Sequence, residues 1–532
     1  MTNRFYTDGS PPDLCDLAVV TAEQMQRIET VLFDAGMPVA ALMEKVAGRI
    51  ARWIIERYPR DRTSKVGFIV GPGHNGGDAL VVARELHHQG YQVHLWCPFS
   101  QVKTLTRQHS TYLEYLGISC DPLEDNLDSY DLIVDGGFGF GLTRPLSGEI
   151  ATGITSINNS SVPVVSIDLP SGLETDSGNV LGIAIQADQT LCLGLWKLGL
   201  LQDRALPYVG EPHLIPFDIP TAAIQPVLAH SPSVQRITSE TAIAHLPLPR
   251  SPIAHKYTIG HLLLIAGSRQ YAGAALLAGK GAIASGIGML TLIVPAGLKD
   301  TVVSQIPEAL VIAAPETETG AIARLPDALE WDDYDGVACG PGMTPQAEVI
   351  EAIMECDRPL VLDADALNWL SQNDPQQRLT QRSAPTLLTP HPGEFRRLFP
   401  DIWQEATIPG KAAQQAAQAA HCTVILKGAI SAIAHLDGQL WFNPNSTAAL
   451  ARGGSGDVLT GLVAGLAAQH YRRDPEGGDQ LLIAAIAAVW WHAHAGRWLA
   501  ARQTVLGCPP GQLVEALSPA LAEALTQPKP GH

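Results

Sequence analysis

A chain of 532 residues, 46% hydrophobic and 17% charged, is long enough for two domains with separate cores and has the balance of a globular protein. Its 35 basic and 53 acidic residues leave a net charge of −18, which excludes a nucleic-acid polyanion as main partner, since no broad basic surface exists to displace counterions. The longest apolar run, LLIAAIAAVWW (481–491), is too short to cross a bilayer and reads as a buried helix, so no membrane association is expected.

The opening MTNRFYTDGSPPDLCD lacks the charged-then-apolar order of a signal peptide, and a cytoplasmic protein is expected. KVGFIV (65–70) reads as a strand, ALVVARELHHQG (79–90) as a helix closed by Gly90, and YQVHLWC (91–97) as the next strand. DLIVD (131–135) and VPVVSID (162–168) continue the series. The stretch after FDIP lacks a sustained strand pattern and is Pro-rich toward its end, which places a linker over 219–245 between domains at 21–218 and 246–525. Strands resume at HLLLIAGS (261–268), GMLTLIVP (288–295), DGVACGPGM (335–343), PLVLDADALN (359–368), PTLLTPHPGE (385–394) and CTVILKGA (422–429). SAIAHLDGQLWF (431–442) reads as a hairpin turning at Asp437-Gly438. Both halves are therefore expected to be α/β with parallel sheets. The eight cysteines stand singly, without a C-x-x-C pair, and read as reduced thiols rather than a zinc site or disulfide framework.

GPGHNGGDAL (71–80) carries G-x-G-x-x-G between a strand and a helix, the position of a dinucleotide fingerprint. A dehydrogenase would also place an acid at the end of the second strand to hold ribose, and HLWCPFS offers none. Two more Gly-rich strand ends follow: Asp135 opens VDGGFGFGLTRPLSG, and Asp168 opens the turn in SIDLPSGLETDSG. Strand ends of a parallel sheet converge on one crevice. The two carboxylates beside Asn75 and Ser171 form an all-oxygen set suited to a hard cation.

In the second half, ARGGSGDVLTGLVAGLAAQ (451–469) sets three glycines and Asp457 at a helix start. Backbone N–H groups there suit a transferring phosphoryl group, and Asp457 can accept a proton from an attacking hydroxyl. No G-x-x-x-x-G-K-[ST] occurs, which excludes a Walker-type site. His391 between two prolines, Lys427 at a strand end and the GPG and YAGAA stretches supply further contacts, while Asp363 and Asp365 suit metal binding or helix capping equally.

With these motifs in order, residues 21–218 resemble the NAD(P)H-hydrate epimerase domain, through GPGHNGGDA, DGGFGFG and DLPSG. The resemblance implies a Rossmann-like three-layer domain. It implies that His74, Asn75, Gly76, Gly77, Asp78 and the loop Gly139, Phe140, Gly141, Leu142, Thr143, Arg144 and Pro145 hold the hydrated dinucleotide. It further implies potassium on Asn75, Asp135 and Ser171, and Asp168 at the substrate as the acid/base or as an orienting group. His74, Ala79 and Phe140 depart from the family pattern; His74 can still donate a hydrogen bond, and the exact contacts at that position stay open.

HK (255–256), YAGAA, GPG, DADALN, TPHPGE, LKGA and GGSGD together resemble the ADP-dependent NAD(P)H-hydrate dehydratases, of ribokinase-like fold. That implies Ala274, Gly342, His391 and Asp457 on the S-hydrate, and Lys427, Gly428, Ala429, Ile430, Ser431 and Gly456 on the nucleotide, with Asp457 catalytic and ADP accompanied by magnesium. Tyr257 and Ser431 are mild departures. The two resemblances cover nearly the whole chain, which is thus similar to the bacterial bifunctional repair enzymes for hydrated NADH and NADPH (NADHX and NADPHX); a homo-oligomer is expected. The alternative is a ribokinase-like small-molecule kinase fused to a catalytically silent nucleotide-binding module.

Overall fold

Strands buried on both faces must be apolar along their whole length, and such strands need helices above and below them. The strand Lys65–Val70 is buried from its second residue to its last, and His261–Ile265 repeats the pattern. In the computed structural model, which describes residues 14–122, 126–228, 233–344 and 346–526, these two strands lie at the heart of separate sheets. The division between the two units falls between Val234 and Gln235. The reading of the N-terminal segment concerns residues that lie, for 1–13, outside the described ones.

The first unit holds six parallel strands in the spatial order Gln92–Trp96, Lys65–Val70, Leu132–Gly136, Val164–Ile167, Gln189–Leu193, Glu211–Ile215. The order reverses beside Lys65–Val70, where a crevice opens at the strand carboxyl ends. Helix His74–His88 starts five residues earlier than its apolar pattern announces, so the H-N-G-G-D stretch is its first turn rather than a free loop.

The second unit has a ten-stranded sheet. Leu310–Ala314, Met289–Pro295, His261–Ile265, Gly336–Cys339, Leu360–Leu362, Thr386–Leu388 and Thr423–Leu426 run parallel. Ser431–Ala434 and Leu440–Asn443 follow antiparallel, joined by the expected turn with Gly438 at φ +92°. The apolar run at 481–491 lies inside helix Gln480–Gln503, buried among helices Ser455–Arg473 and Pro510–Thr526. No helix among the described residues is long and apolar enough to cross a membrane.

Two expectations meet a different structure. Residues 219–245 are not an open linker: helix Thr221–Leu228 packs Ala223, Ile224 and Leu228 into the first core, and Val234–Arg236 is the edge strand of the ten-stranded sheet. The cysteines are not all free thiols, because Cys97 and Cys120 form a disulfide with Cα atoms 5.6 Å apart. The cause is register. Cys97 follows the strand Gln92–Trp96, and Cys120 bridges to Leu95 of that strand, which brings together two sulfurs that sequence spacing does not pair.

Candidate functional site

The crevice of the first unit is a cavity of about 940 Å³, the size range of a nucleotide-scale pocket. The three fingerprint glycines serve it differently. A Cβ on Gly71 would stand 1.6 Å from the Gly137 carbonyl oxygen, and one on Gly76 would stand 2.0 Å from that of Gly71. Gly71 therefore serves the close approach of two strand ends, and Gly76 the close approach of the helix to the end of its preceding strand. Gly73 faces open space at the N-terminus of helix His74–His88 and lines the cavity.

Of the expected dinucleotide contacts, His74, Asn75, Asp78 and the run from Gly139 to Arg144 line the cavity, although Leu142 is also largely buried in the core. Gly76 and Gly77 do not line it: Gly77 faces the Met43 side chain, whose Cε would lie 2.7 Å from an added Cβ. Pro145 is exposed and also off the lining.

Asp168 ends its strand in the left-handed region, φ +69°, which costs a residue with a Cβ about 1–2 kcal/mol. Its side chain is fixed by three partners. Phe140 N donates to Oδ2 at 3.0 Å, Leu193 N to Oδ1 at 3.4 Å, and Lys197 Nζ lies 2.6 Å from Oδ1. Burial, the largest influence, would lower Lys197, but Asp168 together with Cys192 and Glu29 outweighs it and holds the ammonium above its usual range. The Lys197 ammonium also stands 5.9 Å from the Phe140 ring centroid. Sequence reasoning passed over Lys197; a single lysine inside LCLGLWKLGLL was the available signal. It also passed over Glu29, which lines the cavity from helix Ala22–Asp34 and whose burial, against the opposing pull of Lys197, raises it to about 7. Asp78 is pushed well above the carboxylate range by burial and by the charges of Asp168 and Glu29.

Asp135 is fully buried and does not line the cavity, although its neighbours Gly137 and Asn75 do. It accepts from Ser171 N, Ser171 Oγ, Ser166 Oγ and Gly137 N at 2.8, 2.6, 2.8 and 3.1 Å, and no basic side chain among the described residues pairs with it. Burial raises its pKa, with the Ser171 hydroxyl the largest opposing influence. Asn75 is tethered nearby through Nδ2 to the Ile167 carbonyl, at 3.2 Å.

In the second unit the helix Ser455–Arg473 begins on Gly454, left-handed at φ +94°. Gly453 faces open space, and a Cβ on Gly456 would lie 3.5 Å from Lys427 Nζ. Lys427 in turn sits 2.9 Å from Asp363 Oδ1, while Thr460 Oγ1 donates to Asp363 Oδ2 at 2.7 Å. Asp363 thus caps nothing with its side chain; it holds the lysine. Burial, the largest influence, would raise Asp363, but the Lys427 ammonium together with hydrogen bonds from Thr460 and Thr389 outweighs it and keeps the carboxyl below the usual range. Burial, then the Asp363 charge, raises Asp457 to about 6, with Lys427 pulling the other way. A base of that strength suits proton abstraction near neutral pH.

His391 is the N-cap of helix Pro392–Leu398: its Nδ1 accepts from Gly393 N at 2.9 Å and Glu394 N at 3.3 Å. That bond fixes the tautomer and leaves Nε2–H as a donor on a half-exposed ring, with the Glu394 carboxylate 3.5 Å from Nε2. Gly342, at φ +61°, packs against Tyr271 and Ala274, so Ala274 and Gly342 are neighbours. Ile430 is largely buried, whereas Gly428 and Ala429 are exposed and Ser431 is intermediate. His492, also missed from sequence, braces the helix start from behind through Nε2 to the Ser455 carbonyl at 3.0 Å.

Two family models match the chain. One, described as YjeF-related protein N-terminus, matches residues 39–199, and one described as NAD(P)H-hydrate dehydratase matches 262–519. The bifunctional NAD(P)H-hydrate repair enzyme Nnr of Thermosynechococcus vestitus is 49% identical over 96% of this chain and 98% of its own. The protein of that name from Synechocystis sp. is 50% identical over 96% and 95%. A solved structure of the ADP/ATP-dependent NAD(P)H-hydrate dehydratase from Bacillus subtilis, co-crystallized with ATP/Mg2+, is 31% identical over 54% of this chain and 97% of that one, with a TM-score of 0.45.

Proposed function

The chain belongs to the family of bifunctional NAD(P)H-hydrate repair enzymes, and from that premise we propose that its first unit interconverts the R and S hydrates of NADH and NADPH while its second dehydrates the S form at the expense of ADP. The observation that carries the reading is likeness to such enzymes along both halves of the chain, which a kinase joined to a silent module does not account for.

In the second unit Asp457 takes the proton of the hydrate hydroxyl, whose oxygen attacks the terminal phosphorus of ADP and releases AMP. Lys427, set by Asp363, and the N–H groups around Gly456 face the phosphoryl charge. The ring carbon–oxygen bond then breaks with phosphate as leaving group, and loss of the neighbouring proton restores the ring double bond. Phosphate leaves far more readily than hydroxide, which is why a nucleotide is consumed in a net dehydration. His391 presents Nε2–H, and Ala274 and Gly342 provide a surface without side-chain bulk. No group of three or more His, Cys, Asp or Glu among the described residues could hold a metal ion. Magnesium needs no such cage, since one or two carboxylates and the nucleotide phosphates suffice for it.

In the first unit Asp168 is the group at the reacting ring, held by Lys197 and Phe140 N. The donor set of Asn75, Asp135 and Ser171 fits potassium: a single buried carboxylate without a basic partner, among neutral oxygens, matches one hard positive charge. Bound there, the ion supplies fixed positive charge beside the substrate pocket.

Product analysis tests the second half directly. Incubation of the S-hydrate with ADP is expected to yield NADH, AMP and phosphate in equal amounts; NADH formed without AMP would refute phosphoryl transfer.

A further inference from the structure

We propose, on the reading that the first unit epimerises the hydrated nicotinamide ring, that Glu29 is the catalytic residue that protonates the departing hydroxyl, as partner to Asp168. Inversion at a carbon bearing both a hydroxyl and the ring nitrogen needs two proton movements, one onto the leaving oxygen and one off the incoming water. A single carboxylate locked in an ion pair is poorly suited to both.

The cavity provides a second carboxylate from a different element. Helix Ala22–Asp34 buries Met25, Ile28 and Leu32 in the core and sets Glu29 at the border of that face, on the lining that also holds Asp168 and Lys197. The helix is anchored. Thr21 and Gln24 form a capping box at its start, and Ala22 N donates to Asp176 Oδ1 at 2.7 Å, in the turn that follows Asp168 and Ser171. Asp168 is held by Lys197, Phe140 N and Leu193 N, whereas Glu29 makes no hydrogen bond or ion pair with any described residue. One carboxylate is fixed, and the other is free to move a proton. The charged groups that act on Glu29 are Lys197, Asp168 and Lys103, with Asp78 and His74 on the same lining. Burial outweighs the two lysines and holds Glu29 at about 7, so both its protonated and its ionised forms are present near neutral pH and it can give up and regain a proton there.

The step balances. Protonated Glu29 gives its proton to the hydroxyl, the carbon–oxygen bond breaks and water leaves, while the ring-nitrogen lone pair forms a carbon–nitrogen double bond. Water adds to the opposite face, that double bond returns its pair to nitrogen, and the proton of the added water passes to Asp168. Exchange with solvent returns the proton to Glu29. Lys197, 2.6 Å from Asp168 Oδ1, keeps that carboxylate in place to receive the proton.

The test uses the full-length protein, E29Q and E29D, with conversion of R to S hydrate followed by separation of the epimers between pH 5 and 9. Substitution E29Q is expected to lower kcat by about 100-fold or more, with the dissociation constant for the R-hydrate within about threefold, and E29D to recover part of the rate. The wild-type rate falls as pH rises through about 7, because the donor must be protonated, and E29Q loses that limb. In 18O-labelled water the S product carries the label. Retained rate in E29Q, an unchanged alkaline limb, or product that keeps its original oxygen would each overturn the proposal while leaving the epimerase reading intact. Wild-type protein without epimerase activity would overturn both.

Discussion

Lys197 Nζ lies 2.6 Å from Asp168 Oδ1, with the two side chains 1% and 5% exposed. A buried ion pair adds little net stability over an apolar pair, but removing one member strands the other charge, at a cost of about 3–5 kcal/mol. K197M is therefore expected to unfold at clearly lower denaturant than wild type, and D168N/K197M to recover a large part of the loss. Equal midpoints for K197M and the wild type in urea titrations would show that the pair is not needed to hold Asp168.

The pH dependence of dehydration follows from Asp457. In its proposed role as base the carboxyl, raised to about 6, must be deprotonated, so turnover is expected to be complete above that pH and to fall as pH drops through it, about tenfold per unit below. D457N is expected to abolish dehydration while still binding ADP within a few-fold of wild type. A D457N enzyme with undiminished turnover removes Asp457 from the mechanism.

His391 caps its helix through Nδ1 and is proposed to meet the S-hydrate through Nε2, and substitution can separate the two. Asparagine can accept from the same backbone N–H groups, so H391N is expected to keep the helix start and fold within about 0.5 kcal/mol of wild type, while H391A loses about 1 kcal/mol. Both lose Nε2–H, so both raise KM for the S-hydrate. Unchanged KM in the two variants would confine His391 to capping.

The paired glycines of the first loop also differ. A Cβ at Gly76 would meet the backbone oxygen of Gly71 at 2.0 Å, and backbone cannot step aside; one at Gly77 would meet the flexible end of Met43. G76A is expected to lose more than about 3 kcal/mol, and G77A about 1. Thermal melts that rank them the other way would mean that the helix start is not packed as described.

These contrasts mark what a linear reading can carry. Strands such as KVGFIV and HLLLI announce themselves because burial on both faces demands unbroken apolar runs, and GGSGD announces a helix start because few other uses need its glycines. The hairpin at Asp437-Gly438 follows from turn chemistry. Pairings across the chain leave no such trace. Asp363 reads equally as a metal ligand or a cap until Lys427 is found 64 residues away, and Cys97 and Cys120 read as single thiols until Leu95 brings them side by side. Glu29 lies on an ordinary amphipathic helix, and only the fold of that helix over the crevice gives it a chemical setting. Glycine is ambiguous between backbone approach to a ligand and backbone approach to protein, and a Cβ at Gly76 or Gly77 would meet protein, the Gly71 carbonyl in one case and the Met43 side chain in the other.

The most direct measurement mixes the protein with both epimers of NADH hydrate, potassium and ADP, and follows the return of the reduced-nicotinamide absorbance. Recovery of the total of both epimers, with AMP formed in equal amount, is the result this account predicts. Recovery that stops when the S form is exhausted would contradict the epimerase assignment of the first unit, and no recovery at all would contradict the repair function.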